Sequence, residues 1–129
     1  MKNSISVINN PIANPEVFFG VNNCLNYGNS IATCQMNGDS MQPTIQPGEI
    51  VAFISCGGVI KISGIYVFTR DVFGKEVLFI KRIQPLPDGE LMILSDNKAY
   101  ETFTLDKHEQ SDMVIYGRVV ASLVVRRFA

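Results

Sequence analysis

The segment Gly38-Asp39-Ser40-Met41-Gln42-Pro43-Thr44-Ile45 sets a serine between a glycine and a proline, and about forty positions later the apolar run Val77-Leu78-Phe79-Ile80 ends in Lys81. A serine hydroxyl is a weak nucleophile near neutral pH and needs a neighbour that removes its proton as it attacks a carbonyl. Lysine can be that neighbour once its amine is neutral, which requires its ordinary pKa of about 10.4 to fall through desolvation. On a strand, Val77, Phe79, Lys81 and Ile83 share one face, so Lys81 would stand in an apolar row that strips water from the amine. Taken alone, a lysine ending a strand with its head in water is the simpler reading. The two blocks together, in this order, point to Ser40 as nucleophile and Lys81 as base.

The residues around Ser40 suit that role. Gly38 permits a tight backbone approach, Pro43 stops a helix after one turn begun at Ser40, and Pro47-Gly48-Glu49 launches the run Ile50-Val51-Ala52-Phe53. The first amides of a helical turn have no internal partner, so donors near Ser40 are free to hold an oxyanion. Asp39 reads as a cap for the turn rather than as a catalytic group, and Asp96-Asn97 reads as a turn. A Ser-His-Asp triad would have to use His108, the single histidine, which sits in the charged stretch Asp106-Lys107-His108-Glu109 and reads as a surface side chain. Cys24, Cys34 and Cys56 are an odd set without a C-x-x-C spacing, so no zinc site and no disulfide framework is expected. No cofactor or metal site is expected.

The elements that must position these groups are strands. Runs of branched and aromatic residues at 30–36, 50–54, 65–69, 76–83, 91–94 and 113–125 are separated by Gly, Pro, Asp and Asn. This spacing predicts an all-β fold, a folded-over sheet or a partly open barrel. Helix is confined to the turn at Ser40 and a turn over 105–109. Residues 1–29, rich in asparagine and without a sustained period, read as an extended arm whose islands Ile5-Ser6-Val7-Ile8 and Val17-Phe18-Phe19 lie on the domain or add a strand to it. Residues 30–129 are then one domain, and a chain of 129 residues with 47% apolar content can fill one core. A net charge of −1, with basic residues scattered apart from Arg126-Arg127, gives this domain no reason to bind nucleic acid directly. No apolar stretch is long enough to span a bilayer, so a cytoplasmic protein without membrane contact is expected.

Four blocks carry a resemblance: the segment from Gly38 to Val51, then Phe79-Ile80-Lys81-Arg82-Ile83, then Leu94-Ser95-Asp96-Asn97-Lys98-Ala99-Tyr100, then Tyr116-Gly117-Arg118-Val119-Val120. In this order they resemble the LexA and phage-repressor family of self-cleaving serine peptidases, which includes the UmuD proteins, over about residues 30–125. The resemblance implies an all-β domain in which Ser40 is the nucleophile, Lys81 the base, and the backbone amides of Asp39 and Ser40 the oxyanion hole. It also implies a homodimer, an amino-terminal helix-turn-helix DNA-binding domain absent from this chain, and cleavage stimulated by the RecA filament. The family cuts an Ala-Gly or Cys-Gly bond upstream of its serine; here the glycines before Ser40 follow Phe19, Tyr27 and Asn37, and Cys56-Gly57 lies downstream.

Three readings of function follow. One is a self-processing peptidase and dimerisation domain of a repressor, and another is a pairing and sensing domain that no longer cuts. The third is a UmuD-like polymerase accessory protein. The run over 114–128, apolar on both faces, serves either as a dimer surface or as a plain core strand. Ile80-Lys81-Arg82-Ile83 with Pro87-Asp88-Gly89 also resembles signal peptidase I, a related Ser/Lys enzyme whose membrane anchor finds no apolar span here.

Overall fold

The computed structural model describes residues 31–126 and 128. The arm expected over 1–29, its two apolar islands and Cys24 lie outside the described residues. The strands are β1 (Ile31–Gln35), β2 (Ile50–Ile54), β3 (Gly64–Val72), β4 (Lys75–Pro85), β5 (Leu91–Leu94), β6 (Phe103–Leu105) and β7 (Val114–Leu123). They form one antiparallel sheet in the order β1-β2-β7-β3-β4-β5-β6, which does not close. The fold is therefore all-β, as expected, and built on one sheet that is not closed among the described residues. Among the described residues, no helix is long and apolar enough to cross a membrane.

Alternation along each strand divides the apolar side chains between two faces. On one, Cys34, Val51, Phe53, Val67 and Ile80 pack with Met36, Met41 and Ile45 from the β1–β2 connection. On the other, Tyr66, Phe68, Ile83, Leu91, Ile93 and Leu105 form a second cluster, with Phe79 packed against it. The centre of β3 is thus buried on both sides, so Tyr66, Val67, Phe68 and Thr69 form a continuous buried run. Ile31, Ala52 and Ile54 make a third, smaller cluster.

Several expectations are corrected. The structure has β6, unforeseen in the sequence: three residues of which only Leu105 is buried, too short to show an alternation. The turn expected over 105–109 lies further on, as a 3-10 helix at Glu109–Asp112. Ahead of it, Asp106 and Glu109 exchange backbone-to-carboxylate bonds, Asp106 N–H to Glu109 Oε1 at 2.9 Å and Glu109 N–H to Asp106 Oδ1 at 2.8 Å, which cap the turn at Lys107-His108 that leads into the helix. The turn at Ser40 does not stop before Pro43 but continues to a bond from Ile45 N–H to Met41 O at 2.9 Å. β7 is an inner strand by its pairing with β2 and β3, yet along it only Gly117 is buried and Val114 and Ser122 are exposed, so pairing alone does not make it a plain core strand. Beyond it Val124, Val125 and Phe128 are exposed.

Candidate active site

Ser40 is carried on the excursion between β1 and β2. Its base is closed by bonds from Met36 N–H to Glu49 O and from Gly48 N–H to Met36 O, both 2.8 Å. The buried carboxylate of Glu49 accepts from Gln46 N–H at 2.9 Å, fixing the return leg. Met36, Met41 and Ile45 are sunk in the core, so the tip is anchored on both sides of Ser40. Gly38 has a φ of 81°, a left-handed conformation that side chains with a Cβ disfavour, and it turns the chain into Asp39 and Ser40. Among the described residues, the bonds that hold this turn engage the carbonyl oxygens of Asp39 and Ser40 and not their amide N–H groups.

Three consecutive residues after β5 clamp this turn to β4. Lys81 Nζ donates to Ser95 Oγ at 2.8 Å. Arg82 grips Asp96 with both edges of its fork, Nε to Oδ1 at 2.8 Å and Nη2 to Oδ2 at 2.7 Å, and the Thr44 hydroxyl donates to the same carboxylate. Asn97 then holds the nucleophile's backbone: its Nδ2 donates to Asp39 O and its N–H to Ser40 O, each at 2.9 Å. Side chains at 81 and 82 point to opposite faces of β4, so the clamp straddles the strand.

The electrostatics follow the geometry. Partial burial pushes the Lys81 amine below its ordinary pKa, toward the neutral form a base requires. The Arg82 hydrogen bonds hold the Asp96 carboxyl below the usual range, with Thr44 adding to the effect, and Asp96 in turn raises Arg82. This pair stays ionised and neutralises itself beside the amine.

Ser40 and Lys81 line one cavity of about 260 Å³, with Gly38, Asp39, Ile80 and Tyr100 among its walls. The Tyr100 ring lies over Lys81 Nζ, 5.1 Å from its centroid, and the Tyr100 hydroxyl donates to Asp39 Oδ1. Asp39, expected to cap the turn, is therefore taken by Tyr100, which pins the turn from outside. Among the described residues, β5 covers the outer edge of β4 only at Arg82–Pro85, so the stretch from Lys75 to Lys81 leaves that edge open beside the cavity.

Of the expected site residues, the structure brings Ser40, Lys81 and the Asp39–Ser40 backbone to one cavity, and it leaves His108 exposed just before the 3-10 helix. Reading the sequence placed Arg82, Ser95 and Tyr100 within the blocks of the resemblance but gave them no role, and it took Asp96 and Asn97 for a simple turn. The available signal was a polar triplet directly after a buried strand, equally at home in any turn.

The model of a family described as Peptidase S24-like matches residues 9–120, a span that begins inside the segment read as an arm. The chain is also similar to a 26 kDa repressor protein of Escherichia phage HK022, 33% identical over 104 residues, covering 77% of this chain. The chain spans 41% of that phage protein's length.

Proposed function

The chain belongs to the Peptidase S24-like family, and from that premise we propose that it is the self-cleavage and pairing domain of a repressor-like transcription regulator. The observation that carries this reading is the shared cavity of Ser40 and Lys81, with burial lowering the pKa of the lysine. Ser40 Oγ attacks the carbonyl carbon of a peptide bond and passes its proton to neutral Lys81 Nζ. The amides of Asp39 and Ser40, unused by the turn's own hydrogen bonds, receive the oxyanion. Collapse breaks the C–N bond, the Lys81 ammonium protonates the leaving amine, and water, deprotonated by Lys81, releases the acyl group from Ser40. The open edge of β4 suits an extended chain, which would add as a strand and lie beside Ser40. A tethered substrate has a high effective concentration, so a partly desolvated lysine suffices as base.

In this reading the intact protein pairs as a homodimer, with exposed Val124, Val125 and Phe128 as part of the pairing surface. A helix-turn-helix domain supplies operator binding, and the RecA filament is the stimulus. The second reading, a pairing and sensing domain that does not cut, is favoured by the lack of Ala-Gly or Cys-Gly among residues 1–39. Incubating the intact protein at rising pH separates the two. Two fragments that appear as Lys81 loses its proton, and vanish in Ser40→Ala and Lys81→Ala, support the peptidase. An uncut protein across the alkaline range supports the binding domain.

A further inference from the structure

We propose that Tyr100 is a positioning residue that holds Lys81 in its charged, resting form, with its ring over Nζ and its hydroxyl tied to Asp39 beside Ser40. The inference deepens the peptidase reading and rests on it. The face of an aromatic ring carries negative charge and attracts an ammonium within about 6 Å of its centroid, favouring the protonated amine. That attraction opposes the desolvation that would free Lys81 to act as a base. Tyr100 thus restrains the dyad that it also helps to assemble, since its hydroxyl bridges to the residue before the nucleophile. The ring is part of the cavity wall, so a chain entering the cavity competes with Lys81 for it.

Other groups near the amine are accounted for. Ser95 is its hydrogen-bond acceptor, Tyr66 its cross-strand partner on β3, and Asp39 is engaged by the Tyr100 hydroxyl. Asp96 is neutralised by Arg82, and Lys98 adds one cation on the same loop. Tyr100→Phe and Tyr100→Leu both release Asp39 and both keep an apolar cover, so the contrast between them isolates the ring.

The test measures, in the intact protein, the pH dependence of acetylation of Lys81 by trace acetic anhydride, read by peptide mass, alongside self-cleavage. The expected result is a lower labelling midpoint in Tyr100→Leu than in Tyr100→Phe. Below the midpoint, cleavage in the leucine variant should be roughly two- to fivefold faster, the cation–π range at exposed sites expressed as a rate. Tyr100→Trp, with a stronger π face, should move the midpoint the other way, and it serves if the leucine variant does not fold. Equal midpoints in phenylalanine, leucine and tryptophan variants overturn the inference. Separated midpoints in a protein that never cleaves uphold the hold on Lys81 and reject the peptidase reading.

Discussion

Replacing Asp96 with alanine removes the carboxylate that, among the described residues, joins β4 to the turn bearing Ser40. Two charge-assisted bonds from Arg82 and one from Thr44 end on it. Bonds to charged groups contribute about 1.5–3 kcal/mol when well buried. Here the Arg82 side chain is 40% exposed and Asp96 15%, so solvent screening brings the fork nearer 1 kcal/mol. Thr44 is exposed, and its bond adds roughly half as much. The expected loss is about 1.5 kcal/mol, or a Tm lower by roughly 6–12 °C for a domain of this size. The pH dependence has a definite sign. Because the folded carboxyl has the lower pKa, its stabilisation is full above the unfolded value near 3.9 and disappears as pH falls through the folded value. Thermal unfolding of the parent and of Asp96→Ala, followed by circular dichroism from pH 7 to pH 2, should show a gap that closes on acidification. The same substitution should slow self-cleavage, since the turn loses its tether to the strand that carries Lys81. A Tm gap under 2 °C at pH 7, or one unchanged at pH 2, would refute the clamp.

Gly117→Ala should lower stability by about 1–3 kcal/mol in urea titrations, because a Cβ there would stand 2.3 Å from the backbone oxygen of Ile54 and force β7 away from β2; an unchanged midpoint would show that the sheet yields. Burial pushes the Cys34 thiol up to about 12, so at pH 8 the folded protein should leave Cys34 unalkylated by iodoacetamide while the half-buried Cys56 reacts. Peptide mapping that finds both labelled at equal rates would contradict the packing of β1.

The strands were legible where apolar runs alternate between turn residues. β2 and β5 fall on the expected spans, and β4 carries Lys81 in line with Phe79 and Ile83. β3 and β4 run longer than expected because Asp71↔Glu76 and Val72↔Lys75 continue the ladder up to a two-residue turn at Phe73-Gly74. Phe73 has a φ of 51° there, a conformation that nothing in its residue type announces. The short edge strand β6 left no period to read.

The types of the chemical groups were a property of the sequence alone: a serine on a glycine-to-proline turn, and a lysine closing an apolar strand, on a chain too rich in strand formers to be helical. What surrounds them was decided by the tertiary structure. Ser95, Asp96 and Asn97 are ordinary turn residues until the fold brings β4 and the β1–β2 excursion to either side of them. Tyr100 is an ordinary aromatic until its ring covers Lys81 and its hydroxyl reaches Asp39. The physical reason is distance along the chain. Strand periodicity is local and shows in neighbouring residues, whereas hydrogen bonds between positions 39 and 97, or 44 and 96, exist only once the whole sheet has formed.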